Sequence, residues 1–295
     1  MKPALALLAC ALLLGGCGAG DVGAGSDAAD GRMPVTAAFY PLAFLSERVG
    51  GDLVEVSTLT KPGTEPHDLE LTPKAVAGLS QARAVVLLAG FQPAVDEAVA
   101  SQAGEAAVDV TDAAELTPGP GGTTDPHFWL DPTRMAAVAT SLGEAFAERD
   151  PDDAAAYRAN AAALVTDLTA LDEEYRTGLA SCESTELVTG HAAFGYLAQR
   201  YGLGQEGIAG ISPDAEPDAA TLRELTEHVR EAGVTTVYAE TLVPPALAET
   251  IARETGAKVA VLDPLEGITD ASAGADYLEV MRANLRTLRE GQSCS

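Results

Sequence analysis

The sequence predicts an α/β protein of two β/α lobes with mostly parallel sheets, joined by one long spine helix and facing each other across a cleft. Three observations carry this expectation. Short apolar runs alternate with helical segments, and the alternation occurs twice along the 295 residues. Between the two series, Tyr157, Ala161, Leu164, Leu168, Leu171, Tyr175 and Leu179 recur in steps of three and four, one face of a helix. Finally, several chemistry-bearing residues fall just beyond strand ends, where open parallel sheets bind ligands.

The first lobe begins with Val35–Phe39, a short apolar strand, and Pro41–Val49, a helix. Leu53–Thr58 alternates apolar and polar residues as a strand does, and then enters the Pro62-Gly63 turn. Thr72-Pro73 is a cap followed by proline at the first helical position, opening a helix to about Gln81. Ala84–Leu88 is continuously apolar, as expected of a strand covered on both faces. Helix Pro93–Ser101 and strand Ala107–Val110 follow, and Leu116–Thr124, rich in Gly and Pro, is a loop.

Asp150-Pro151-Asp152-Asp153 is a helix start with acids in the first turn. The helix it opens is expected to run for about 29 residues, roughly 43 Å at 1.5 Å per residue. The second lobe repeats the first: strand Glu186–Thr189, helix Phe194–Tyr201, helix Asp218–Ala232, strand Thr235–Ala239, helix Pro244–Thr255, strand Lys258–Leu262 and helix Tyr277–Arg289.

The amino terminus reads as an export signal. Lys2 precedes the apolar stretch Ala4–Leu14, which is far shorter than the roughly 20 residues of a spanning helix. Leu14-Gly15-Gly16-Cys17 looks like a bacterial lipobox, with Cys17 as the lipidated first residue of the mature chain. The expected organisation is a lipoprotein signal over 1–16, a flexible tether over 17–33, an N-terminal lobe over 34–149, the linking helix over 150–180 and a C-terminal lobe over 181–295. The protein is therefore expected to be lipid-anchored on the extracytoplasmic face of the cell membrane, as a monomer. A formal net charge of −26 excludes a nucleic-acid partner, because phosphate binding needs a basic surface.

Outside the leader and the lipid site only Cys182 and Cys294 remain. Two such thiols in an oxidising compartment most often pair. The loop enclosed would be about 110 residues, with a chain-entropy ceiling of roughly 4–5 kcal/mol. The competing reading makes both cysteines metal ligands.

The chain has four histidines. Three lie in loop phrases: Glu65-Pro66-His67-Asp68, Asp125-Pro126-His127-Phe128-Trp129-Leu130-Asp131-Pro132 and Gly190-His191-Ala192-Ala193-Phe194. Asp263, in Val261-Leu262-Asp263-Pro264, offers a carboxylate in the same kind of position. Neutral imidazoles with a carboxylate suit a divalent transition metal, zinc above all. Some 60 to 72 residues separate successive candidates, unlike the close pairs of structural zinc modules. Two ligands from each lobe place the ion in the cleft and suit reversible capture. Glu240 ends a strand on the cleft side; it can accept a hydrogen bond from a ligand imidazole or cap the following helix. His228 sits mid-helix among charges and reads as a surface residue. With unperturbed imidazoles near pKa 6.5, zinc affinity should be nearly flat from pH 8 to 7 and fall steeply between about 6 and 5.

These phrases resemble the zinc/manganese solute-binding lipoproteins of bacterial ABC importers, the cluster A-I or cluster 9 family. The resemblance runs from about Val35 to Leu288 and is most specific in Asp125–Pro132, Gly190–Tyr196 and Gly210–Pro217. It implies two β/α lobes on one long helix, metal ligands at His67, His127, His191 and Asp263, and delivery of the ion to an ABC permease in the membrane. The chain departs from the family where Asp68 and Leu69, not an aromatic, follow His67, and where the segment before His127 lacks a histidine-rich loop. Manganese-preferring members tend to carry Glu where this chain has His191. Three nitrogens and one carboxylate favour Zn2+ as the transported ligand, with Mn2+ the alternative. A non-enzymatic role is expected, because a fourth protein ligand would displace the water a zinc hydrolase needs. Relatives active in cell adhesion leave an adhesin as a third class.

Overall fold

The computed structural model describes residues 31–214 and 217–295; the expected leader and Cys17 lie outside the described residues. In the first half, β1 (Met33–Ala37), β2 (Val54–Thr58), β3 (Ala84–Leu87) and β4 (Ala107–Asp109) form an all-parallel sheet in the order β2-β1-β3-β4. In the second, β5 (Glu186–Thr189), β6 (Gly204–Gly207), β7 (Thr236–Ala239) and β8 (Lys258–Val261) repeat that order as β6-β5-β7-β8, again parallel. The two halves thus share a topology without an evident sequence repeat. Every residue of β3 is buried, which accounts for its unbroken apolar run.

Helices α1 (Tyr40–Gly50), α2 (Pro73–Gly78), α3 (Pro93–Gln102) and α4 (Thr111–Ala114) belong to the first half; α7 (Gly195–Tyr201), α8 (Ala219–Glu231), α9 (Ala246–Thr255) and α10 (Tyr277–Gly291) belong to the second. Thr72 caps α2 as the sequence signals, accepting from the Ala75 N–H, and Asp218 caps α8, accepting from Ala220 and Thr221.

Besides the one-turn helix α4, two elements were not anticipated. Helix α5, Pro132–Arg149, begins with Asp131 accepting from the Thr133 N–H and buries Met135, Val138, Leu142 and Phe146. Strand β6 has the sequence Gly-Gln-Glu-Gly, which carries no strand propensity; edge pairing with β5 alone makes it a strand.

The long helix α6 spans Ala154–Gly178, 25 residues or about 38 Å, shorter than expected because Pro151–Asp153 forms a separate 3-10 turn. It serves both halves. At its start, Tyr157 packs edge-on against Phe146, and Asn160 donates to the Val49 carbonyl at 3.1 Å. Towards its end, the Tyr175 hydroxyl donates to the Met281 carbonyl at 2.6 Å, and Arg282 and Arg200 pair with Glu174 and Asp172. Cys182 and Cys294 are disulfide-bonded, tying the end of the chain to the segment before β5. Among the described residues no helix is long and apolar enough to cross a membrane.

Candidate metal centre

Each of the three loop histidines is set by a local device. His67 lies in the irregular segment between β2 and α2. Its backbone N–H donates to Glu65 Oε1 at 2.9 Å, and buried Gln92 donates to the Pro66 carbonyl at 2.9 Å and to Thr60. Its ring lies edge-on to Phe91.

His127 and His191 are held by the same arrangement twice. Asp125 Oδ1 accepts both the His127 backbone N–H, at 3.0 Å, and its Nδ1–H, at 2.7 Å. Glu240 accepts the His191 backbone N–H at 2.6 Å through Oε1 and the Nδ1–H at 2.7 Å through Oε2. Both imidazoles are fully buried. A carboxylate on Nδ1 fixes the tautomer and turns the Nε2 lone pair inward. The glycine before His191 is required by this grip, since a Cβ at Gly190 would sit 2.5 Å from Glu240 Oε1. Glu240 therefore serves the imidazole; α9 begins later, at Ala246, with no side-chain cap.

The fourth member is Glu266. It is 1% exposed, and its Oε1 lies 3.2 Å from Nε2 of each of His67, His127 and His191. The Nε2 atoms of His67 and His191 stand 3.3 and 3.2 Å from that of His127. Five of the six edges of this four-atom figure are thus 3.2–3.3 Å. The sixth, between the Nε2 atoms of His67 and His191, is no longer than 4.8 Å, so a point within roughly 2.0–2.4 Å of all four atoms exists, close to the length of a zinc–imidazole or zinc–carboxylate bond.

Asp263 is the correction. It is not among the converging atoms, which are those of His67, His127, His191 and Glu266. Its Oδ1 instead accepts the Leu265 N–H at 2.8 Å. The chain runs on beyond β8 and turns at Leu265, whose φ of 59° is left-handed, and only then presents a carboxylate to the cleft. Nothing in Asp263-Pro264-Leu265-Glu266 announces that turn, so position after the strand pointed to Asp263 rather than to the acid that converges with the imidazoles. His228 stands apart, 4.0 Å from Glu186 and partly exposed.

Charge and burial act against each other here. Burial pushes the His191 imidazole down, but the hydrogen bonds it donates to Glu240 and Glu266 prevail and raise it to about 10. His127 is also raised: the Asp125 and Glu266 hydrogen bonds outweigh its burial. His67, mainly by desolvation, is lowered. Burial opposes ionisation of Glu266, yet the three imidazoles hold its carboxyl well below the usual range. Four groups converging on one point through lone pairs call for a cation, whether a metal ion or protons. A cavity of about 730 Å³ reaches His67 between Phe91, Leu116 and Ile211, so solvent approaches the least buried of the three imidazoles.

Comparison with known proteins agrees with this geometry. The zinc-binding lipoprotein AdcA of Streptococcus pneumoniae is 35% identical over 98% of this chain, which spans 61% of that protein's length. A crystal structure of Zn(II)-bound AdcA matches 89% of this chain and 58% of that one at 36% identity, with a TM-score of 0.78. The high-affinity zinc uptake system protein ZnuA of Bacillus subtilis is 31% identical over 96% of this chain and 95% of its own. A structure of the laminin-binding protein Lmb of Streptococcus agalactiae, described as bifunctional with adhesin and metal-transporting activity, covers 88% of this chain and 99% of that one at 32% identity and a TM-score of 0.80. The family model for ZnuA, the periplasmic component A of a zinc-uptake complex, matches residues 35–291, and with both lobes and the whole metal cluster inside that match, the chain belongs to the ZnuA family.

Proposed function

We propose that this chain captures zinc outside the cytoplasm through His67, His127, His191 and Glu266 and delivers it to the permease of an ABC importer. The observation that carries the reading is the buried four-atom figure, five of whose six edges are 3.2–3.3 Å and none longer than 4.8 Å. That figure fits a tetrahedral ion of zinc's bond length. Manganese prefers oxygen-rich, octahedral surroundings, and three imidazoles with one carboxylate do not supply them. A protein carboxylate at the fourth corner leaves no open position for the water of a hydrolase. The family and the zinc-binding names of AdcA and ZnuA support the transport role. The adhesin activity belongs to the Streptococcus agalactiae protein; a buried cluster of this kind speaks to an ion rather than a matrix ligand.

Anchoring through a lipid on Cys17 is part of the same proposal, supported by the Leu14-Gly15-Gly16-Cys17 phrase and by the lipoprotein name of AdcA. Cys17→Ser should release the protein from washed membranes; a variant that stays bound would require another anchor.

The ion is checked by elemental analysis of natively purified protein followed by competition. One zinc per chain is expected, with manganese failing to displace it even at about 100-fold excess, in keeping with the general preference of nitrogen sites. Protein that purifies with manganese and keeps it against equimolar zinc would overturn the assignment.

A further inference from the structure

The segment Leu262–Gly267 is a six-residue loop that is buried throughout. Loops usually run over the surface, because their backbone polar groups need partners that a protein interior seldom offers. Here side chains supply them. Asn284 of α10 holds Asp263 from both sides: its Oδ1 accepts the Asp263 N–H at 3.0 Å, and its Nδ2 donates to the Asp263 carbonyl at 2.7 Å. Asp263 Oδ1 holds the Leu265 N–H at 2.8 Å across the left-handed turn. The Pro264 carbonyl accepts the indole N–H of Trp129 at 2.8 Å.

Trp129 comes from the other half of the molecule. It lies two residues after His127, fully buried, with its ring 5.1 Å from that imidazole and 5.1 Å from Phe39. Its own carbonyl accepts the Tyr277 hydroxyl at 2.6 Å, and Tyr277 sits on α10 two turns before Asn284. The contacts close into a ring: Trp129 to Pro264, Asp263 to Asn284, along α10 to Tyr277, and back to Trp129.

Resting on the reading of Glu266 as a metal ligand, we propose that Trp129, Asp263 and Asn284 are positioning residues that fix the Glu266 carboxylate at the fourth corner. Trp129 is the member that joins the two lobes. It makes the placement of Glu266 depend on the loop that carries His127, so loss of the Trp129–Pro264 bond frees the carboxylate corner and speeds release of the ion. Asp263 belongs to the site through the backbone it holds, with no contact to the ion.

The test is a double-mutant cycle on the full mature chain with zinc, measuring dissociation rate against a chromophoric chelator and thermal stability of the metal-free protein. Trp129→Phe keeps an aromatic ring and removes the N–H; Asn284→Leu keeps approximate size and removes both bonds to Asp263. Each is expected to speed zinc release by about tenfold or more, as for removal of other groups that orient metal ligands. In a Glu266→Gln background the same substitutions should change release by less than about twofold, because they act through the carboxylate. The visible absorption of bound Co2+ should also shift in both single variants. Equal factors in both backgrounds, or wild-type release rates with only a lowered melting temperature, would overturn the positioning role. Wild-type zinc affinity in Glu266→Gln alone would instead overturn the ligand assignment beneath it. Should Trp129→Phe fail to fold, Asn284→Leu decides from the other side of the ring.

Discussion

Glu266→Gln should weaken zinc binding by well over the roughly 100-fold that separates metalloproteins from variants lacking an outer hydrogen-bond partner, whereas Asp263→Asn should cost no more than a few-fold. The difference follows from placement. Glu266 is the one carboxylate whose oxygen touches all three Nε2 atoms, and its charge offsets a buried dication. An asparagine at 263 still offers an oxygen to the Leu265 N–H. His67→Ala, His127→Ala and His191→Ala should each match Glu266→Gln, and His228→Ala should bind as wild type. Asp125→Asn and Glu240→Gln should fall between, at about 10–100-fold, because they orient imidazoles without touching the ion. Calorimetry across this series checks the assignment. A severe loss in Asp263→Asn with tight binding in Glu266→Gln would return the fourth corner to Asp263.

Zinc affinity should also rise with pH over a wider and higher range than unperturbed histidines imply. In the metal-free protein the His191 imidazole keeps its proton up to about 10 and His127 is raised as well, so an arriving ion must displace protons even at pH 8. The slope of log affinity against pH should be about one just below the raised value of His191, rise towards two as pH falls through the raised value of His127, and approach three only below the lowered value of His67. Between pH 9 and 6.5 the affinity should therefore fall by about 10³-fold. The sign for stability runs the other way in the metal-free chain. A raised histidine pKa contributes stability that is fully present below about 6.5 and is lost as pH climbs through about 10. Zinc should thus raise the melting temperature more at pH 9 than at pH 6.5. Calorimetry at pH 8 in buffers of different ionisation enthalpy should show about one proton released per zinc. Release of none would mean that the Nε2 of His191 is free of protons before the ion arrives.

The parts of this molecule legible in its sequence are those that repeat. Strands such as Ala84–Leu87 and the stripe Tyr157–Leu164–Leu171 announce themselves by apolar spacing, and the three histidines by their loop phrases. What escaped notice depends on contacts distant in the chain. The α5 start was present in Asp131-Pro132 but lay hidden inside a phrase dominated by His127, and β6 has no local signal at all. The choice between Asp263 and Glu266 turns on one left-handed residue, Leu265, that only the grip of Asn284 and Trp129 makes intelligible. The flat affinity expected above pH 7 treats the imidazoles as isolated, whereas in the fold Glu240, Asp125 and Glu266 face them.

The continuous α6 helix sets a limit on how the cargo leaves. Its first turns are fastened to one half through Asn160 and Tyr157, and its last turns to the other through Tyr175, Glu174 and Asp172. Bending a helix requires breaking its internal hydrogen bonds, so the halves cannot swing apart as they would on paired flexible strands. Loaded and empty forms are then expected to share nearly one outline. On the proposed transport role, a permease has little to read in the silhouette and must sense the rim of the cleft, where the His67 loop lies. Extraction becomes a local act, pulling one irregular segment rather than prising two bodies open.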